Sequence, residues 1–180
     1  MRTDTKQMLA LRVLSTAALM AMVSSIATAA FADTYYVDYG NIKVNGSSVD
    51  YYDASGNSQT NEHDENIIIT NSDKEKSTSN TVTINASEGS TAKVTLDDVN
   101  IDASSTGKAA LTVKGTGDTE IELSGDNTLV SGSGHAGLEK SDTYGSEPSQ
   151  NGSLTINAAD TDSSLTATGG TSGAGIGGAS

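Results

Sequence analysis

The middle of the chain alternates apolar and polar residues in short runs. Four such runs, separated by residues typical of turns, occupy positions 94–96, 99–101, 111–113 and 121–123. A period of two with β-branched residues predicts short strands with one face turned inward. The Asp, Asn, Gly and Ser residues between them predict bends. Strands this short are not stable alone, so the pattern predicts an all-β domain in which they pack together.

A change of parity marks one of the bends. Val94 and Leu96 lie at even positions, whereas Val99 and Ile101 lie at odd positions. The inward face therefore switches across residues 97–98, and we expect the chain to bend there between two strands.

The alternating runs also recur at longer range, in two interleaved series. One series starts at positions 82, 99 and 121, and the other at 94, 111, 136, 154 and 173. Starts within a series thus recur after roughly 20 residues, which predicts a β-solenoid whose coils bury their apolar faces against one another. A β-sandwich with short hairpins has the same alternation and is the alternative, but the clustered spacings favour the solenoid.

The N-terminal segment, positions 1–32, differs from the rest of the chain. It begins with basic residues, continues with an apolar run over positions 13–30 and ends in Ala30-Phe31-Ala32. This pattern is typical of a helical secretory signal peptide, and we expect cleavage between Ala32 and Asp33. The prediction is therefore export to the cell surface or the medium, without a stable membrane span after processing. A retained membrane anchor is the alternative, which the many Ala, Ser and Thr residues of the run disfavour.

The remaining chain divides into two parts. Residues 33–65 hold five of the six tyrosines and predict N-terminal strands that cap the first coil; an aromatic platform for stacking on sugars is the alternative. Residues 66–180 begin with three isoleucines at 67–69 and hold the alternating runs, so they predict the solenoid coils. The pattern is still running at the last residue, and we expect the solenoid to be incomplete at its C-terminus and the chain to belong to a longer protein.

Composition and charge narrow the chemistry. Because there is no Cys, disulfides and thiolate metal sites are excluded. Removing residues 1–32 takes away three of the ten basic and one of the 23 acidic residues, which leaves a net charge of −15 and no Arg. Such a polyanion repels nucleic acid and anionic lipids, whereas cations and neutral sugars remain possible partners.

One stretch of oxygen-bearing side chains is a candidate metal site. The residues alternate with the apolar positions of one strand and could offer their oxygens to Ca²⁺, which takes six to eight oxygen ligands. The candidate ligands are Asp97, Asp98, Asn100 and Asp102. The alternative is an ordinary polar strand face, because the Gly and Glu that complete a calcium-binding loop are missing at the corresponding positions.

No catalytic set stands out. His63 and His135 lie far apart and lack partners at metal-ligand spacing, and we interpret His135 as a residue at a corner between strands. The glycine-rich segment 173–178 has the spacing of a dinucleotide-binding fingerprint, but no helix follows it, so tight turns are the better interpretation. We therefore predict no catalytic residues.

Several phrases resemble a known family. They are Gly-Asp-Asn-Thr-Leu at 125–129, His-Ala-Gly-Leu at 135–138 and Gly-Ala-Gly-Ile-Gly-Gly at 173–178. The chain resembles the carbohydrate-binding domain-containing secreted proteins of gut and rumen Firmicutes over residues 35–178. This resemblance implies an extracellular right-handed parallel β-helix, in a family with at least one calcium-stabilised polysaccharide binder. It implies no particular sugar-binding residues.

These observations favour a non-catalytic, adhesin-like module that recognises an extracellular polysaccharide. A polysaccharide lyase or glycoside hydrolase on the same fold is the first alternative, and a purely structural stalk is the second. A lyase of this fold commonly uses an Arg beside calcium-binding acids, and no Arg follows Arg12. A hydrolase needs two convergent carboxylates, and the acidic residues fall in predicted turns rather than in a definable cleft.

Overall fold

A computed structural model describes residues 32–61, 63–140 and 152–178 and shows an all-β protein. The described residues form fifteen strands and one 3-10 turn, Val37–Tyr39, with no α-helix among them. The predicted all-β class is therefore confirmed. Over the same residues, no helix has the length and apolar character needed to cross a membrane. The predicted signal segment lies outside the described residues, apart from Ala32, where the compact unit Ala32–Ser180 begins.

The strands form three sheets, each built mainly from parallel pairs. Sheet 1 contains, in spatial order, β1 (Thr34–Tyr36), β5 (Ile67–Thr70), β7 (Thr91–Asp97), β10 (Asp118–Ser124) and β13 (Leu154–Ala158). Sheet 2 contains β8 (Asn100–Asp102), β11 (Asp126–Val130) and β14 (Ser164–Thr168). Sheet 3 contains β15 (Ile176–Gly177), β12 (Leu138–Lys140), β9 (Leu111–Lys114), β6 (Val82–Asn85), β2 (Ile42–Asn45), β3 (Ser48–Tyr52) and β4 (Ser58–Asn61).

From β4 onward, successive described strands lie in different sheets. The triplets β7-β8-β9, β10-β11-β12 and β13-β14-β15 each pass through sheets 1, 2 and 3 in that order, and we call each passage a circuit. In each sheet the strand of one circuit pairs in parallel with the strand of the next circuit. Such pairing excludes a sandwich built from antiparallel hairpins.

The repeat is longer than the sequence analysis predicted. The second predicted series aligned position 94 with position 111, whereas Val94 pairs with Ile121 in sheet 1 and Leu111 pairs with Val82 in sheet 3. The predicted spacing and the step from 94 to 111 are therefore wrong, whereas the runs that start at 111 and 136 do belong to paired strands, with Leu111 beside Leu138. The reason is that each circuit contains several runs of the same alternation, so the next run along the chain belongs to a different sheet.

The predicted bend at residues 97–98 is confirmed. Strand β7 ends at Asp97 in sheet 1 and β8 begins at Asn100 in sheet 2. Between them, Asp98 adopts φ +51°, a left-handed conformation that Asp tolerates better than most residues. A side chain on Gly125, one circuit later, would collide with the Asp98 carboxylate, so the smallest residue is needed there.

Inward side chains from all three sheets form one buried core. Alternate residues of each strand are buried, as in β7, where Ala92, Val94 and Leu96 are inside while the residues between them are not. Aliphatic residues stack on aliphatic residues of the neighbouring circuit, for example Val94 on Ile121. The core therefore follows from the period-two pattern and from parallel pairing in register.

Two buried asparagines tie circuits together where the chain turns. The Asn127 amide nitrogen donates to the carbonyls of Ser124, Gly125 and Ser164, and its oxygen accepts from the Val99 amide at 2.9 Å. Asn71 binds the backbone N–H and C=O of Asn100 in a similar way. At the bends, these side chains form hydrogen bonds with backbone groups that lie outside the regular pairing of strands.

Candidate functional site

The outer face of sheet 1 carries a shallow groove of about 410 Å³. Because alternate residues of a strand point to opposite faces, the groove is lined by the outward residues between the core positions. Across four neighbouring strands, matched outward positions form a row of Ile68, Thr95, Glu122 and Asn157. Adjacent strands are about 4.8 Å apart, so the row presents side chains at a regular short interval.

A second row runs beside the first. Lys93 and Glu120 pair across β7 and β10, and the Lys93 ammonium contacts the Glu120 carboxylate at 2.9 Å. Both side chains are largely exposed, so this ion pair adds little stability. The ion pair neutralises the charge of Lys93, the lysine among the described residues that line the groove.

An adjoining depression of about 400 Å³ shares Glu65, Asn66 and Lys93 with the groove. The two form one continuous surface, which we call the sheet-1 face. Its described lining residues include one lysine, Lys93, and three glutamates, Glu65, Glu120 and Glu122, so negative charge prevails. This charge disfavours uronates and sulfated sugars and allows neutral or cationic ones.

Asp64 fixes the chain at the edge of this face. It is buried, and its carboxylate accepts from the Tyr35 hydroxyl at 2.9 Å and from the Asn66 amide at 2.9 Å. Burial, followed by the hydrogen bond to Asp64, raises the pKa of Tyr35 well above its ordinary value of 10.0. Tyr35 therefore stays neutral and remains a donor to Asp64 at physiological pH.

The N-terminal tyrosines do not line the sheet-1 face. Tyr35 is buried, and its ring packs edge-on against that of Tyr51, with ring centroids 4.9 Å apart. Tyr36 and Tyr52 are more exposed, and Tyr36 packs against Tyr39. The platform and cap interpretations thus fit different members of the group, since the exposed rings could stack on a sugar while the buried ones close the core.

The predicted calcium ligands have other partners. The Lys74 ammonium lies 3.0 Å from the Asp97 carboxylate and 2.7 Å from that of Asp98. The Asp98 carboxylate also accepts from the Asp126 amide, and Asp97 accepts from the Ser124 hydroxyl. The lysine therefore already supplies the positive charge that two adjacent carboxylates require.

The other two predicted ligands also take part in hydrogen bonds. The backbone of Asn100 binds Asn71, and the Asp102 carboxylate accepts from the Ser104 amide. Within residues 32–61, 63–140 and 152–178, no group of three or more His, Asp or Glu side chains is placed to hold a metal ion. Calcium binding by Asp97, Asp98, Asn100 and Asp102 stays a prediction to be measured.

His135 has a partner that the sequence analysis missed. Its Nδ1 lies 2.7 Å from the carboxylate of Glu139, which is buried near the start of β12. The i,i+4 spacing was visible in the sequence, but it signals contact only in a helix, and here a turn brings the two together. The pair lies away from the sheet-1 face.

Ala32 and Asp33, which flank the predicted cleavage point, are exposed and directly precede β1. The Asp33 carbonyl accepts from the Ile68 amide, so this residue already belongs to the hydrogen-bonded edge of sheet 1. Cleavage itself stays a prediction.

The carboxylates that line the sheet-1 face are those of Asp64, Glu65, Glu120 and Glu122. A glycosidase acid is a carboxyl whose pKa is raised by an apolar site. Glu120 is paired with Lys93 on an open surface, and Glu122 is exposed. The arrangement presents hydrogen-bonding groups in rows, which is chemistry for binding an extended polar ligand.

Comparison of the chain with protein-family models, with curated proteins and with solved structures finds no match.

Proposed function

We propose that the chain is an exported, non-catalytic module that binds an extracellular polysaccharide along the sheet-1 face. The observation that carries this proposal is the row of outward side chains at matched positions of four parallel strands, beside a groove of about 410 Å³. An extended glycan repeats its hydroxyls at a regular interval, and a row of Thr, Asn and Glu side chains can meet them strand after strand.

We also propose that the three sheets form a right-handed parallel β-helix. The support is the order of the strands, since three successive circuits visit sheets 1, 2 and 3 in the same sequence with parallel pairing between circuits. Crossover connections between parallel strands are almost always right-handed. The N-terminal strands would then be the cap and the later circuits the coils.

The glycan we expect is neutral. The acidic lining of the sheet-1 face repels polyuronates. Lys93, which could otherwise attract them, forms an ion pair with Glu120. Affinity for one short oligosaccharide should be weak, because each strand adds few contacts and binding grows with the number of strands engaged.

The test is a glycan array with neutral β-glucans, xylans and mannans beside polygalacturonate, followed by incubation of each bound glycan with the protein. Binding of a neutral glycan without new reducing ends or unsaturated uronates is the expected result. Release of products would replace the proposal with a glycoside hydrolase or lyase. A protein that binds none of the glycans would fit a structural stalk.

Export is tested separately by intact-mass analysis of the secreted protein. We expect a chain that begins at Asp33, whereas a chain that retains Met1 would contradict cleavage at the predicted position.

A further inference from the structure

The row of outward side chains on sheet 1 continues onto β1. Thr34 pairs with Ile68, so the row that runs through Ile68 and Glu122 reaches Thr34 on the neighbouring strand. Ala32, two residues before Thr34, lines the groove. A glycan that follows the row across the strands therefore arrives at β1.

Tyr36 is the next outward residue of β1. In this strand Tyr35 is buried, whereas Thr34 and Tyr36 on either side of it are exposed. Because a strand rises about 3.3 Å per residue, Tyr36 follows Thr34 on the same side of the sheet at a distance of roughly 7 Å. Its side chain is 37% exposed. Tyr36 thus lies just beyond the sheet-1 face, on the same outer side of sheet 1.

A second aromatic ring lies beside that of Tyr36. The ring centroids of Tyr36 and Tyr39 are 5.2 Å apart, and the two rings are tilted by 42°. Tyr39 is half-buried and Tyr36 is exposed, so the two rings form a partly open aromatic surface, which we call the tyrosine pair. This surface adjoins the end of the row on β1.

The turn that carries Tyr39 is held in place by hydrogen bonds. The Ser72 amide donates to the Asp38 carboxylate at 2.8 Å, and the Ser72 hydroxyl donates to the same carboxylate. The Asn80 side-chain amide donates to the carbonyls of Val37 and Asp38 at 3.0 and 3.3 Å. The Val37 side chain is fully buried. The turn is therefore fixed before a ligand arrives, which lowers the entropy lost on binding.

The chemistry of an exposed tyrosine ring suits one class of sugar. The face of an aromatic ring carries negative charge density and attracts C–H groups. A pyranose whose hydroxyls are equatorial presents its C–H groups on its two flat faces, whereas a furanose ring offers a smaller and less regular face. Stacking on a tyrosine therefore favours the pyranose, while hydrogen bonds to hydroxyls are available from either sugar.

We propose that the tyrosine pair is a subsite at the β1 end of the row and stacks on one pyranose of the glycan that the sheet-1 face binds. This inference rests on the proposed function and adds the kind of sugar that is selected. The row supplies hydrogen bonds along the chain, and the tyrosine pair recognises the ring. The protein then binds β-linked glucopyranose chains more tightly than neutral furanose chains such as arabinan.

The test is calorimetric titration of the protein from Asp33 onward with cellohexaose and, separately, with linear arabinan. We expect tighter binding of cellohexaose by wild type. Tyr36→Ala and, separately, Tyr39→Ala should weaken binding of cellohexaose about fivefold, since each removes an aromatic contact, and should leave binding of arabinan unchanged. Tyr36→Phe keeps the ring and should bind like wild type. A structural role for Tyr36 at the edge of the sheet would instead lower the melting temperature without changing the affinity.

The matched control is Tyr52→Ala, which removes a tyrosine of similar exposure, 39%, from β3 in sheet 3. It should bind cellohexaose like wild type. Equal affinity of wild type for the two glycans would overturn the inference. So would full binding by Tyr36→Ala when Glu122→Ala/Asn157→Ala binds weakly, and this second result would leave the sheet-1 face as the glycan site. Loss of binding in the tyrosine variants alone would support the subsite and contradict the row.

Discussion

The first and last strands of this protein follow the same alternation, yet they bury it to different extents. In the N-terminal strands Ile42 and Val44 are fully buried, whereas in the last circuit Leu154 and Ile156 are half-buried. Both sets pair in parallel with a neighbouring strand, β2 with β6 and β13 with β10. The difference is that β2 is followed in its sheet by β3 and β4, while no described strand follows β13.

Burial in this fold is therefore a property of neighbouring circuits rather than of the strand itself. A strand with a circuit on each side hides its inward residues, and one with a single neighbour does not. Stability should depend on position in the stack in the same way, as expected when each repeat contacts only its neighbours.

The largest expected effect on stability comes from a comparison of two isoleucines that pair with each other. Ile121→Ala should lower the free energy of unfolding by about 3 kcal/mol, because the side chain is fully buried and a cavity would form. Ile156→Ala, at the matched position of the last circuit, should cost less than about 1 kcal/mol, since the side chain is already partly in water. Urea unfolding of both variants measures the difference. Equal losses would show that the last circuit is as well packed as the middle one.

A smaller effect on stability is expected when two asparagines are compared. Asn127→Ala should cost about 2 kcal/mol, because it removes the hydrogen bonds that Asn127 makes to the buried Val99 amide and to the Ser164 carbonyl. The Ser124 and Gly125 carbonyls keep the Asp98 and Ser164 amides as donors. Asn157→Ala changes an exposed residue of the last circuit and should stay within about 0.5 kcal/mol of wild type. Thermal melting at fixed pH measures both. An equal loss of melting temperature in the two variants would contradict the role assigned to the buried hydrogen bonds of Asn127.

A still smaller effect concerns the corners. Lys74 bridges Asp97 and Asp98 at the corner between β7 and β8, whereas in the last circuit Asp160 binds the nearby Asp162 amide and Ser163 hydroxyl. Lys74→Met should cost at most about 1 kcal/mol, because the pair is partly exposed. Lys76→Met removes a single exposed ion pair and is the matched control, with little effect expected.

The contribution of Lys74 should depend on pH. The Lys74 ammonium, followed by the Asp126 amide, lowers the pKa of Asp98 below its ordinary value of 3.8. A lowered carboxyl pKa stabilises the fold above that value, and the stabilisation is lost as the pH falls below it. Wild type and Lys74→Met should therefore differ in melting temperature near neutral pH and converge in acid. A difference that persists at low pH would contradict the ion pair.

The same variant tests calcium. Removal of Lys74 leaves two adjacent carboxylates without their cation, so millimolar Ca²⁺ should raise the melting temperature of Lys74→Met more than that of wild type. Mg²⁺ at equal ionic strength is the control, and an equal effect of Mg²⁺ would indicate screening only. A large calcium effect on wild type alone would point to ligands other than Asp97 and Asp98.

Local patterns predicted local structure well. The strand at residues 67–69 follows from a continuous β-branched apolar run and the bend at 97–98 from a switch of parity, and both depend on neighbouring residues alone. Asn45-Gly46 is likewise a dipeptide that favours a tight turn, and Gly46 lies between β2 and β3 with φ +64°.

Long-range partners could not be predicted in the same way. The alternations at 82–84, 94–96 and 99–101 look alike, so the sequence does not show that each belongs to a different sheet. Lys74 lies far before Asp97 in the sequence, within a loop of mixed charge, and nothing local marks it as the partner. The calcium prediction considered residues 97–102 alone and so did not include Lys74, which lies between β5 and β6.

The residues that line the sheet-1 face can be identified only when the true register of the strands is known. Ile68, Glu122 and Asn157 each look like ordinary outward residues of separate strands, and parallel pairing between distant stretches of the chain places them in one row. The wrong repeat length aligns different residues and therefore does not place these side chains in one row.

The most direct test of the proposed function is affinity electrophoresis in gels containing a soluble neutral polysaccharide such as xyloglucan. We predict that wild type is retarded and that Glu122→Ala/Asn157→Ala, which removes two side chains of the row, weakens binding roughly tenfold. Thr112→Ala/Lys114→Ala, on the outward side of β9 in sheet 3, should bind like wild type. Unchanged binding in the first double variant, with loss of binding on replacing the exposed Tyr36 and Tyr52, would contradict the sheet-1 face and place the glycan on the N-terminal tyrosines.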